Sequence, residues 1–179
     1  MLLPTVEFLR ECFVCDPDAG TLHWRKRPAD HFLSMRAAAI FNTRFANKPA
    51  GHTSRDGYSR IFIAFRGVKK PYLAHRIIWA MVTGKWPENH IDHKNKTPSG
   101  NYFANLREAT NAENMRNSGL RRDNQVGRKG VRERNGKFTA QIQVDGKSTH
   151  LGTFATIEQA SAAYAIAAQS RFGEFARVA

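Results

Sequence analysis

The chain of 179 residues is 41% hydrophobic and carries a formal net charge of +13. That is enough apolar content for one ordinary domain or two small ones, which excludes a disordered chain. The charge is spread over the whole length rather than gathered in a tail, so a polyanion is the expected partner, nucleic acid ahead of an anionic membrane. No apolar run approaches the roughly 20 residues of a bilayer span, and Glu7, Arg10 and Glu11 interrupt the first apolar stretch, so a soluble, cytoplasmic protein without a membrane partner is expected.

Phe8, Leu9, Cys12 and Phe13 stand at helical spacing and predict an opening amphipathic helix. Cys12 and Cys15 form a lone C-x-x-C with no second pair to complete a zinc site, and read as buried reduced thiols. Asp16-Pro17-Asp18-Ala19-Gly20 is a turn and Thr21 to Trp24 a short strand, with His23 structural. Residues 28–51 have poor periodicity and receive no element, although Phe32, Met35, Ile40, Phe41 and Phe45 are expected to pack.

Tyr58 to Phe65 reads as a strand, with Ile61, Ile63 and Phe65 on one face and Tyr58, Arg60 and Phe62 on the other. Arg66-Gly67 turns it into a second strand ending near Ala74. Ala74 to Thr83 has helical periodicity and stops at Gly84. Arg76, in its first turn, is a candidate DNA-phosphate contact, while His75 reads as a core or cap residue.

His90 and Asp92 lie two apart in a short extended segment and share a face. A loop follows from about Lys94 to Tyr102, and Thr110 with Glu113 has the capping-box pattern, which places Asn114 in the first turn of a helix. These residue types suit phosphodiester hydrolysis. Histidine is the side chain that titrates near neutrality and can take a proton from water, and Mg²⁺ needs only one or two Asn or Asp oxygens because it keeps several waters.

Asn89-His90, Asn105-Leu106-Arg107-Glu108-Ala109-Thr110 and Glu113-Asn114 resemble the HNH, or ββα-metal, motif of phage homing endonucleases. The resemblance implies a hairpin and helix around one divalent ion, Mg²⁺ or alternatively Mn²⁺. It makes His90 the general base, Asn105 the residue holding loop and imidazole, and Asn114 a helix-borne ligand, the second ligand being Asn89 or Asp92. The sequence departs from the motif twice. The residue before the base is commonly Asp, where His90 is preceded by Asn89, and the loop from His90 to Asn105 is longer than usual.

Residues 118–128 are polar, basic and glycine-punctuated, and read as an interdomain linker. Gly130 to Arg134, Lys137 to Val144 and Lys147 to Phe154 are three strands joined by Asn135-Gly136 and Asp145-Gly146 hairpin turns. In the second, Phe138, Ala140, Ile142 and Val144 alternate with Lys137, Thr139, Gln141 and Gln143, which gives one core face and one wet or bound face. Thr156 to Arg171 is a helix whose stripe of Ala160, Ala163, Tyr164, Ala167 and Ala168 lets it lie close to the sheet.

From Gly130-Val131-Arg132 through His150-Leu151-Gly152-Thr153-Phe154 to Gly173-Glu174-Phe175-Ala176 the segment resembles the Apetala-two DNA-binding domain. That family lays its sheet in the DNA major groove, and the resemblance implies DNA contacts at Lys129, Arg132, Arg134, Gln141, Gln143, Ser148 and His150; Lys137 joins them on the wet face. The expected organisation is α+β: an N-terminal α/β scaffold over 1–57, an HNH nuclease domain over 58–117, the basic linker, and a three-stranded antiparallel sheet plus helix over 129–179. The expected function is metal-dependent cleavage of double-stranded DNA by a phage- or mobile-element-encoded endonuclease in a bacterial host, with no small-molecule substrate. The alternative is a DNA-binding regulator that retains the fold with weakened catalysis.

Overall fold

The computed structural model describes residues 3–117, 119–120 and 123–178. The chain divides into two compact units, Met1–Ala109 and Thr110–Ala179.

The first unit opens with α1 (Val6–Cys12), whose first turn is capped by Thr5, the hydroxyl accepting from the Phe8 N–H at 3.2 Å. The helix ends one residue earlier than its periodicity suggests. Phe13 begins β1 (Phe13–Asp16), which pairs antiparallel with β2 (Thr21–Trp24) so that Phe13 faces Trp24 with ring centroids 4.5 Å apart. The unassigned stretch contains α2 (Met35–Phe45), capped by Ser34, whose Phe41 ring meets Trp24 edge-on at 5.1 Å.

Three strands follow, β3 (His52–Thr53), β4 (Ser59–Phe65) and β5 (Val68–Leu73), in the antiparallel order β3-β4-β5. The alternation read from sequence holds: Ile61 and Ile63 are buried and Phe62 is exposed. The helix α3 (Ala74–Thr83) ends at Gly84, which takes a left-handed φ of 77°. A second hairpin, β6 (His90–His93) and β7 (Leu106–Ala109), pairs His90 with Ala109, Asp92 with Arg107 and His93 with Leu106.

One core holds this unit together. Leu9, Phe13, Ile61, Ile63, Ile77 and Ile78 are fully enclosed, and Ile91 of β6 and Leu106 of β7 join the same cluster. Burying each such side chain is worth roughly 1.5–3 kcal/mol, so the hairpin that carries the candidate site is seated on α3 by its own inward residues.

The second unit begins with α4 (Asn111–Asn117). The capping box is present and reciprocal: the Glu113 N–H donates to the Thr110 hydroxyl at 3.3 Å, and the Thr110 N–H donates to Glu113 Oε2 at 2.8 Å. Of the linker expected over 118–128, residues 118, 121 and 122 lie outside the described residues. Beyond it stand β8 (Val131–Arg134), β9 (Lys137–Val144) and β10 (Lys147–Phe154), antiparallel in the order β10-β9-β8. Asn135-Gly136 and Asp145-Gly146 all have positive φ, as the two hairpin turns require.

Helix α5 (Ile157–Phe172) covers one face of this sheet with Ala160, Tyr164 and Ala168 buried. Gly130 is required where the sheet meets the helix, because a Cβ there would stand 2.1 Å from the Tyr164 ring, at a φ of +71°. No helix among the described residues is long and apolar enough to cross a membrane.

Candidate functional site

The loop between β6 and β7 is closed on itself by one buried carboxamide. Asn105 Oδ1 accepts from the Asn95 N–H at 2.9 Å, and its Nδ2 donates to Asn95 Oδ1 at 3.0 Å and to the Gly100 carbonyl at 2.6 Å. Its backbone carbonyl accepts from the Lys94 N–H at 2.8 Å. Gly100 has no room for a side chain, since a Cβ would meet Asn95 Nδ2 at 2.9 Å and Asn105 Nδ2 at 3.0 Å. The Phe103 N–H donates to the Pro17 carbonyl at 2.7 Å, which ties the loop to the turn between β1 and β2.

Beside this loop lies a group of polar side chains withdrawn from solvent. Asp92 is buried against Arg107, whose Nε and Nη2 reach Asp92 Oδ2 at 2.9 and 2.8 Å. His93 is also buried, and its Nε2 is 3.0 Å from Asn101 Oδ1. A carboxamide oxygen only accepts, so Nε2 is the donor of this bond, and in the neutral ring Nδ1 is then the acceptor. His75 of α3 meets His93 edge-to-face with centroids 4.9 Å apart, and Tyr58 approaches both rings at 5.7 and 6.1 Å. Burial, then the neighbouring His93 and Arg76 charges, push the His75 imidazole down to about 3, so it is neutral at physiological pH.

His90 stands at the outer end of β6 and is exposed, as is Asn89 before it. The Asn89 N–H donates to Glu108 Oε1 at 2.8 Å. Arg76 spends its guanidinium on the chain leading into β6, donating to the Asn89 carbonyl at 2.8 Å and the Pro87 carbonyl at 3.0 Å. This Arg therefore braces the hairpin from α3. Asp92 and Asn105 are thus buried and hydrogen-bonded, to Arg107 and to Asn95 and Gly100 respectively, while His90 and Asn89 are exposed.

The sequence pattern points to His90 and not to His93, Asn101 or the Tyr58–His75 contact, although Asp92 directly precedes His93 and the span from His93 to Asn105 is three residues shorter than that from His90.

Asn114 lies on α4 in the second unit, half-buried, with its N–H bonded to the Thr110 carbonyl at 2.9 Å. The helix is anchored within that unit. Arg116 reaches Asp145 Oδ1 at 3.1 Å and lies 4.8 Å over the Phe172 ring, its carbonyl accepts from Lys129 Nζ, and the Asn117 carbonyl accepts from Arg177.

The other sequence-selected residues of this unit do converge. Cross-strand pairing sets Arg132 opposite Thr139, Arg134 opposite Lys137, Gln143 opposite Ser148 and Gln141 opposite His150, on the face turned away from the buried Ala140 and Ile142. Lys129 is the exception, because its ammonium is bonded to the Arg116 carbonyl.

Among the described residues no cluster of three or more His, Cys, Asp or Glu side chains could hold a metal by itself. A carboxylate with one or two amide oxygens is still a donor set of the hard-cation kind, completed by water.

Residues 72–116 match a family model, HNH_3, described as HNH endonuclease. The matched segment runs from β5 through α3 and the β6–β7 hairpin into α4. Among solved structures, the chain is similar to one described as DNA binding and cleavage by the HNH homing endonuclease I-HmuI, at 19% identity and a TM-score of 0.44, covering 90% of this chain and 82% of that one. No curated protein matches.

Proposed function

We propose that the chain is a metal-dependent HNH endonuclease that hydrolyses phosphodiester bonds of double-stranded DNA, and that its C-terminal sheet is an Apetala-two-like DNA-binding surface. The observation that carries the reading is the coincidence of the HNH match over 72–116 with a hairpin whose loop is clamped by Asn105 beside the Asp92–His93 pair. The net charge of +13 supports a polyanionic substrate, and the convergence of Arg132, Arg134, Lys137, Gln141, Gln143, Ser148 and His150 on one sheet face supports a groove- and phosphate-contacting surface.

In this reading the base is His93. Asn101 fixes its Nε2–H tautomer, so Nδ1 is the atom that takes the proton of the attacking water while the water oxygen bonds to phosphorus and the phosphorus–oxygen bond to the leaving sugar breaks. Asn105 keeps the loop, and with it Asn101, in place. Asp92 would hold a Mg²⁺ or Mn²⁺ ion through its carboxylate, with water completing the shell, and that ion would supply charge neutralisation at the scissile phosphate. Arg107 lies on Asp92 Oδ2 and sets the direction of that carboxylate.

Two rival assignments each have an observation in their favour. The exposure of His90 favours it as the base, and the engagement of Asp92 with Arg107 favours a DNA-binding regulator without catalysis. Cleavage of plasmid DNA by the wild type, His93→Ala and His90→Ala, each with Mg²⁺ and with EDTA, separates all three. We expect Mg²⁺-dependent cutting by the wild type and His90→Ala, and a loss of about 10² to 10⁴ in rate for His93→Ala. The reverse pattern restores His90. No cutting by the wild type supports the regulator.

A further inference from the structure

Three elements of the first unit converge on the His93 ring: β6 that carries it, α3 through His75, and the residue that precedes β4, Tyr58. The three rings form a closed set, with centroid separations of 4.9 Å for His75–His93, 5.7 Å for Tyr58–His75 and 6.1 Å for Tyr58–His93. The His75–His93 planes stand at 84° and the two Tyr58 contacts at 56° and 55°. Ring contacts of this kind, one edge-to-face and two tilted, restrict how a ring turns about its χ2 angle, and χ2 of histidine is otherwise a soft, broad torsion.

We propose that His75 and Tyr58 are positioning residues that hold the His93 imidazole in the one orientation in which Nε2 meets Asn101 and Nδ1 is presented for proton transfer. The inference rests on the reading of His93 as the base. A ring on a four-residue strand has one hydrogen bond to set its angle, and that bond alone permits rocking about the Nε2–Asn101 line. The two packed rings close that freedom from the other side.

The position of each partner suits the role. His75 is held rigidly, because it sits in the first turn of α3 between Ala74 and the fully buried Ile77 and Ile78. Tyr58 is fixed by its own backbone, its N–H donating to Asp56 Oδ1 at 3.2 Å and its carbonyl accepting from the Ser54 N–H at 2.9 Å. His75 also remains uncharged through the working range, its imidazole being pushed down to about 3 by burial. A neutral ring adds no repulsion when His93 gains its proton.

The test uses the full chain labelled with ¹⁵N-histidine. The His93 signals, assigned through His93→Ala, report its tautomer without any need for cleavage. In the wild type the ring should be the Nε2–H form alone. His75→Ala and Tyr58→Ala should each give a mixture of tautomers and slow single-turnover cleavage by about 10- to 100-fold, with DNA affinity within about threefold, at a temperature well below melting. His75→Phe, which restores a ring of similar size, should recover the tautomer and most of the rate.

An unchanged tautomer and rate in either folded alanine variant overturns the inference, as does a folded His75→Phe no better than His75→Ala. If His75→Ala does not fold, Tyr58→Ala and His75→Phe decide by the same two readouts. Failure of the underlying reading looks different: His93→Ala would then cut at the wild-type rate, while the tautomer measurement still decides whether the two rings position His93.

Discussion

Asn105 and Asn95 grip each other twice, the Asn95 N–H donating to Asn105 Oδ1 at 2.9 Å and Asn105 Nδ2 donating to Asn95 Oδ1 at 3.0 Å. A third bond from the same amide to the Gly100 carbonyl closes the loop. Asn105→Ala removes every one of these partners at a site that is 3% exposed. Buried groups left unpaired cost about 1–3 kcal/mol each, so urea denaturation should show a loss of at least about 2 kcal/mol, with cleavage reduced more than DNA affinity. Gly100→Ala should act in the same direction, because its methyl group would press on both Asn side chains. A native midpoint and rate in either variant would show that the clamp is dispensable.

The depressed His75 titration makes the first unit acid-sensitive. Its ordinary value is 6.5 and burial lowers it to about 3 in the folded chain, so between those values the unfolded chain binds a proton that the folded chain refuses. The resulting stability is complete above about pH 6.5 and is lost as pH falls toward 3, with a slope approaching about 1.4 kcal/mol per pH unit. Denaturation midpoints at pH 7, 5.5 and 4.5 should fall steadily for the wild type and less steeply for His75→Phe. Parallel curves for the two proteins would remove His75 as the source.

Metal affinity should depend on Asp92 and be indifferent to Asn89. Asp92→Asn keeps an oxygen for Arg107 and deletes one negative charge, which should raise the Mn²⁺ concentration for half-saturation, read by calorimetry, by about tenfold or more. Asn89→Asp should leave it unchanged. A shift with Asn89→Asp and none with Asp92→Asn would move the ligand to Asn89.

Residues 110–179 contain their own sheet, covering helix and apolar clusters. Expressed alone they should fold and bind double-stranded DNA at low salt. Arg132→Ala and Arg134→Ala should each flatten the log–log salt dependence by about 0.9. A folded fragment with no affinity at low ionic strength would exclude this sheet as the DNA-binding surface.

What could be read locally was written in local chemistry. The Thr110–Glu113 box and the two positive-φ hairpin turns are properties of residues one to three apart, and α3 and α5 follow from unbroken periodicity. Helix α2 was hidden because Met35 and Ile40 face solvent, at 77% and 59% exposure, and blur the apolar stripe of Phe41 and Phe45. Strand β1 was hidden because its reason for being extended is Trp24, across a turn. The pairing of Asp92 with Arg107 depends on hairpin register, and the approach of His75 to His93 on how α3 packs beneath it; neither leaves a trace in spacing.

The anchoring of α4 bears on how such a chain can be rearranged. With Arg116 seated between Asp145 and Phe172, and with the Lys129 and Arg177 side chains on the last carbonyls of the helix, a graft that joins a foreign C-terminal module at residue 118 strips α4 of every one of those supports. A graft joined at residue 110 carries them along. Exchange of the C-terminal module between related chains should therefore be tolerated at a breakpoint near residue 110 and penalised at the stretch that composition marks as the joint.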